Sequence, residues 1–427
     1  MVDFRPFRAL RPKPEYAAEV AALPYDVMNA AEAREMIKGK ERSFLRIDKP
    51  ETAFPEGQNP YAPEVYAKAK EIFEQRKSDG TYLQEKTPCA YIYRQIMDGR
   101  AQLGLVGTIN VQDSIDGRVK KHEMTRADKE TDRIRHVDTL NAQTGPIFLT
   151  YRKRPLLTET LNNWHLHHSP IYDFVSEQGV RQTVWVIDDP ARLAEIRREL
   201  AQTESLYIAD GHHRHASAVS VAQMRREAQG GRTGDEEFNY YLAVLFASDE
   251  LKLMDYNRVI ADLNGLTIPA LLAKIEHKFT VRKAEPGERV RPRSAHSFGM
   301  CVRAAAKPQA SSADTRTEWY HLRAKDGSFD PNDPVASLDV SILQNNLIAP
   351  ILGINDPRTD SRIDFVGGIR GLGELERRAA TDMRLAFAFY PASLDELMTI
   401  ADAGEIMPPK STWFEPKLLS GLFIHEL

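Results

Sequence analysis

The chain has 427 residues, 42% of them hydrophobic, with a formal net charge of −4 and a pI near 6.3. That length exceeds one ordinary core, so two or more modules are expected, and the mild acidity leaves out the electrostatic footprint of a nucleic-acid binder. No apolar run approaches the ~18 residues of a membrane span, and the start, Met1-Val2-Asp3-Phe4-Arg5-Pro6, does not read as a signal segment. A soluble, cytoplasmic protein is expected. Cys89 and Cys301 stand far apart in strand-like surroundings, so they read as buried thiols rather than a disulfide framework or a zinc site.

The first fifty residues are irregular and rich in proline and arginine. Residues 60–77 then set Tyr66, Ala69 and Phe73 on one side of an amphipathic helix. Segments 90–97 and 101–111 read as strands joined through Asp98-Gly99, a dipeptide suited to a tight hairpin turn. Residues 121–135 are too charged for a core helix and read as a solvated one with ion pairs at helical spacing. Next come a strand at 146–151, a helix at 156–166 and a hairpin of 171–174 with 180–187 around Glu177-Gln178-Gly179. Pro190 opens a helix through Leu200, followed by a strand at 205–209 and a helix at 216–227, an alternation that implies mixed α/β layers. Segments 240–248 and 251–258 read as a hairpin, 268–277 as a helix, 297–305 and 318–323 as strands around a mobile loop at 307–313, and 334–352 as a long helix. A strand at 385–390, Pro391 and a helix through Ala401 echo the order seen before residue 205, which would let two polar motifs share one cleft. The expected modules are a core at 1–234, a second α+β module at 235–360 and a C-terminal segment at 361–427 that completes the cleft.

The densest chemistry lies in Asp210-Gly211-His212-His213-Arg214-His215, where a carboxylate, three imidazoles and a guanidinium surround a glycine between a strand and a helix. Backbone N–H groups are unpaired at such a helix start, and with the helix dipole and the fork of Arg214 they suit a phosphate. Asp210 would then accept a hydroxyl proton or hold Mg²⁺; the plainer alternative is a capping aspartate. His212 and His213 would face phosphate or join a metal shell, while His215, on the helix, could simply face inward. Lys410, Ser411 and Thr412 follow Pro408-Pro409 and read as an anion clamp without the glycines of a P-loop, or else as a rigid surface turn. Trp413 and Phe414 would stack on a base or join a core. The glycines around Arg370, from Gly367 and Gly368 to Gly373, suit close backbone approach to a ligand or merely tight turns. His165, His167 and His168 read as a solvated helix end before Pro170.

Asp210-Gly211-His212-His213-Arg214 resembles the motif of free serine kinases of the ParB and sulfiredoxin-like superfamily. Lys121-His122-Glu123-Met124-Thr125, with Lys129, Asp132 and Arg133 behind it, and the stretch from Met407 to Lys417 resemble one branch, a large bacterial family long labelled as of unknown function. Leu23-Pro24-Tyr25-Asp26-Val27 extends the match to the start of the chain. The resemblance implies a ParB/sulfiredoxin-like nucleotide-binding α/β core with mixed sheets and an inserted second α+β module. It also implies transfer of a phosphoryl group from ATP or ADP, with Mg²⁺, to free L-serine. In that scheme Asp210 and Glu123 share base and metal duties beside His122, Lys410 steadies the transferred charge, and Gly211, His212, His213, Arg214, Thr125, Ser411, Thr412, Gly368 and Arg370 line the phosphates. Tyr25 and Asp26 would reach the cleft.

Sulfiredoxins carry a catalytic cysteine where His212 stands, so without that thiol the sulfinic acid chemistry is excluded. The expected partners are L-serine and a nucleotide, with neither nucleic acid nor membrane, and a homo-oligomer is compatible with the reading. Two rival functions remain open at this point: a ParB-like nucleotide-binding regulator, and a phosphoesterase dependent on Mn²⁺ or Zn²⁺.

Overall fold

The structure, a computed structural model, describes residues 1–231, 234–304 and 316–427. The loop expected at 307–313 and the end of the strand expected at 297–305 lie outside the described residues. The chain divides into two units: Met1–Leu251 together with Pro416–Leu427, and Lys252–Glu415.

In the first unit a nine-stranded sheet collects β1 (Phe4–Arg5), β2 (Ala90–Met97), β3 (Arg100–Asn110), β4 (Val119–Lys120), β5 (Ile147–Tyr151), β6 (Tyr172–Val175), β7 (Arg181–Ile187), β8 (Leu206–Asp210) and β9 (Tyr240–Ala247). Their order is β4-β8-β5-β9-β3-β2-β7-β6, with β1 beside β3. The sheet is mixed, because β8 runs parallel to β4 and β9 parallel to β5, while the remaining pairs are antiparallel. Asp98 (φ 50°) and Gly99 (φ 77°) are both left-handed, as a two-residue turn matched to strand twist requires, and they join β2 to β3.

Helices α1 (Pro63–Ser78), α2 (Ala127–Leu140), α3 (Pro155–His167), α4 (Pro190–Ala201) and α5 (His212–Ala228) complete this unit, and α2 packs against both α1 and α5. Isoleucines, leucines and aromatics from the strands form its main core with Leu157, Leu161, Ile196, Leu200 and Ala218 of the helices. The last residues of the chain return here: His425–Glu426 pairs with Ala142–Gln143, and the Ile424 backbone exchanges hydrogen bonds with Leu10.

The second unit is built on an all-antiparallel sheet of β10 (Tyr256–Ile260), β11 (Phe279–Lys283), β12 (Ser297–Arg303), β13 (Thr317–Ala324), β14 (Ile363–Gly367) and β15 (Leu385–Phe389), in the order β11-β13-β12-β15-β10-β14. Two clusters, around Phe298, Leu343 and Phe387 and around Val259, Trp319 and Leu375, form its core.

Several expectations are corrected. The segments around 240–248 and 251–258 are not a hairpin: β9 is buried along its whole length between β3 and β5, whereas β10 pairs with β14 and β15. The unit boundary therefore falls after β9 rather than at 234, and β14 and β15 keep 361–415 in the second unit. The charged run is not wholly solvated, because α2 buries Asp132, Arg133 and His136. The long helix starts at Asp339 instead of 334; Asp333 accepts hydrogen bonds from the Val335 and Ala336 N–H groups and closes a turn first. Cys89 and Cys301 are free and buried, and burial pushes the Cys89 thiol up to about 11. Among the described residues no helix is long and apolar enough to cross a membrane.

Candidate active site

Strand β8 ends at Asp210, and the chain enters α5 through Gly211 at φ 90°, a conformation that a side chain would strain. The Gly211 N–H donates to Asp210 Oδ1 at 2.8 Å, and Lys417 Nζ donates to Oδ2 at 3.0 Å. Burial opposes ionisation of this carboxyl, but the Lys417 ammonium and the Arg214 guanidinium outweigh it and hold the group well below the usual carboxylate range. Arg214 is itself anchored, its Nη1 donating to the Pro146 carbonyl at 2.6 Å.

His122 and Glu123 follow β4, the parallel neighbour of β8, so sheet pairing carries the Lys121–Thr125 string to the start of α5. His122 and His212 meet edge to face, ring centres 4.6 Å apart. Ligand atoms of His122, Glu123 and His212 all lie within 4.8 Å of one another. Burial pushes His122 down to about 4 against the opposing pull of the Ile208 backbone and Asp210. His212 is pushed well below its ordinary value by burial and then by His122.

Beneath the turn lies a second polar group. Tyr25, Asp48 and Arg133 line both a small cavity that includes Arg214 and a cleft of about 190 Å³ that adds Arg34, Lys49, Glu51, Lys129 and Asp132. Arg133 pairs with Asp132 at 2.8 Å and lies over the Tyr25 ring at 4.0 Å. Asp132 accepts the Tyr66 hydroxyl at 2.8 Å, Asp48 accepts Thr144, and the Tyr25 hydroxyl is buried with no hydrogen-bond partner.

The structure thus gathers Asp210, Gly211, His212, Arg214, His122 and Glu123 in the first unit. His213 is half-buried in the first turn of α5. Thr125 donates to Glu130 at 3.0 Å, inside its own helix start. His215 faces inward, 2.7 Å from Ser114 Oγ and edge-on to Tyr241. His167 and His168 are exposed and bond carbonyls of their own helix.

The remaining expected site residues belong to the second unit. Lys410 adopts φ 58° with its ammonium 5.6 Å from the Tyr256 ring, and Ser411 donates to the Pro408 carbonyl. A Cβ at Gly367 would press on Trp413 and one at Gly368 on Asp255, so these glycines serve packing within the chain. Phe414 is buried, which takes it out of base stacking, and Arg370 stays exposed. Lys417 is the residue that spacing did not single out: it ends the Met407–Lys417 string, and only the return of Pro416–Leu427 to the first unit reveals its partner.

Comparison with known proteins adds one decisive match, over residues 4–341, to a family described as protein of unknown function (DUF1015). The chain belongs to that family. No curated protein matches the DUF1015 chain. Among solved structures it is similar to a free serine kinase in complex with AMP, at 14% identity and TM-score 0.33, covering 72% of this chain and 86% of that one. It is also similar to a C-terminally truncated SbnI from Staphylococcus aureus, at 11% identity and TM-score 0.37 over 74% and 85% of the two chains. A conserved hypothetical protein from Pyrococcus furiosus matches at 13% identity and TM-score 0.32 over 73% and 93%.

Proposed function

We propose that this protein is a kinase of a free small hydroxy amino acid, L-serine, using a nucleotide such as ATP or ADP as phosphoryl donor. The observation that carries the reading is the ionised Asp210 at the mouth of the Gly211–Arg214 turn, locked to Lys417. The N-terminus of α5 and the Arg214 guanidinium suit the donor phosphates, since together they supply positive potential and directed donors. A carboxylate held so far down is a poor proton acceptor. Asp210 therefore serves to fix Lys417, whose ammonium offsets charge on the group in transfer.

The cleft lined by Arg34, Lys49, Lys129 and Arg133 on one side of its charge balance and Asp48, Glu51 and Asp132 on the other suits a small zwitterion, with the Tyr25 hydroxyl still to be satisfied. Mg²⁺ fits the His122–Glu123–His212 group poorly as a resident ion, because Glu123 sits with two imidazoles rather than in an oxygen shell.

Incubation with L-serine and either ATP or ADP, followed by mass spectrometry for O-phosphoserine, tests the reading. Product with one donor supports it and names the donor; intact serine with both donors rejects it. The His122–Glu123–His212 group favours one rival, a metal-dependent phosphoesterase, which would instead release phosphate from phosphoserine without any nucleotide.

A further inference from the structure

Two buried imidazoles meeting edge to face beside a carboxylate make a good ligand set for a metal ion. Among the described residues, His122, Glu123 and His212 are the group whose ligand atoms fall within metal-binding reach of one another, at 4.8 Å or less. His212 Nε2 is buried and makes no hydrogen bond, an orphan that costs free energy in the apo chain. One ring nitrogen of His122 bonds the Ile208 backbone, the kind of contact that fixes the ring of a metal-bound histidine. The pairing of β4 with β8 brings the segment after β4, which carries His122 and Glu123, beside the end of β8 and the start of α5.

We propose that His122, Glu123 and His212 bind a divalent first-row transition ion, of the series from Mn²⁺ to Zn²⁺, in preference to Mg²⁺. Imidazole nitrogen suits those ions, whereas Mg²⁺ demands an oxygen octahedron and sheds water reluctantly. Three protein ligands leave coordination positions for water or a substrate oxygen. The site lies at the turn assigned to phosphoryl transfer, yet it does not depend on that reading, since metal content can be measured on a chain that turns over nothing.

The test uses the full chain, stripped with a chelator, dialysed and titrated separately with Zn²⁺, Mn²⁺ and Mg²⁺; bound metal is counted per chain by mass spectrometry, and Co²⁺ is added as a spectroscopic probe. One Zn²⁺ per chain is expected, bound about a hundredfold or more tighter than Mg²⁺. Visible Co²⁺ bands displaced from those of the aqueous ion are expected too. Both signals should vanish in His212→Ala and persist in His167→Ala, which alters an exposed helix end. Absence of a stoichiometric transition ion on the folded wild-type chain overturns the proposal. So does Zn²⁺ retained undiminished by His212→Ala, or Mg²⁺ bound as tightly as Zn²⁺. Should His212→Ala fail to fold, the wild-type Co²⁺ spectrum decides alone, an aqueous-like spectrum overturning the site. Phosphoserine formed by a chain that binds no transition ion removes this site and leaves the kinase reading standing.

Discussion

Asp210 and Lys417 are 207 positions apart and form a part-buried pair at 3.0 Å. Removing only the cation leaves a carboxylate in a desolvated turn, so Lys417→Met should destabilise the first unit by about 3 kcal/mol, read as a shift in urea midpoint. Adding Asp210→Asn to that variant should recover most of the loss, because the unpaired charge is gone; two independent, additive losses would refute the coupling. In the second unit the Asp339 carboxyl offers a pH test. Burial pushes it up to about 7, with Glu396 adding to the effect, while its Oδ1 accepts the His296 N–H at 2.6 Å. From about pH 4 to 7 the folded chain therefore holds a proton that the unfolded chain has released, so this contribution to stability falls as pH rises and is fully lost above 7. Asp339→Asn keeps the hydrogen bond and lacks the charge. Its Tm should exceed wild type by several degrees at pH 8 and converge with it toward pH 4, and a gap independent of pH would contradict the assignment. Asp210, His212 and Arg214 were legible in sequence because contiguous residues carry them into one turn. Lys417, Asp48 and Tyr25 owe their surroundings to long-range packing that no local spacing encodes.

Local turn chemistry made the Asp98-Gly99 hairpin readable, and helical spacing made α1 readable, with Val65, Tyr66, Ala69 and Phe73 buried. The same logic misjudged α2, since a helix of Asp, Lys, Glu and Arg looks solvated unless the partners are known; here Tyr66, Arg133 and the Asp132 carboxylate satisfy one another inside. It also joined 240–248 to 251–258, because two apolar runs close in sequence resemble a hairpin even when each pairs within a different sheet. The C-terminal segment shows what an element without regular structure depends on. Gly421 has φ 85°, and a Cβ there would lie 2.5 Å from the Phe44 ring, so neither the backbone nor the space admits a side chain. Gly421→Ala should cost at least about 1 kcal/mol from backbone strain alone, with overpacking against Phe44 adding about 1–3 kcal/mol. Limited proteolysis should then cut within 416–427 faster than in wild type, and unchanged cutting with unchanged Tm would show that the segment tolerates the change.

At the scale of the whole chain, the first unit is discontinuous: it starts at Met1 and is completed only by Pro416–Leu427, after the second unit has been made. Leu418, Leu419, Leu422, Phe423 and Ile424 are each at most 3% exposed. At about 1.5–3 kcal/mol for each buried side chain, their joint burial rivals the ~5–15 kcal/mol that separates folded from unfolded domains. A chain ending at 415 should therefore lose the first unit while keeping the second, whose sheet and core use residues from 252–415 alone. Residues 252–415 expressed by themselves should unfold cooperatively in urea, and residues 1–415 should show that transition with the first unit protease-sensitive. If 1–415 resists proteases as the full chain does, the last residues are an accessory. If the first unit is lost, the return of the chain is what places Lys417 at Asp210, and the site cannot form without residues 416–427.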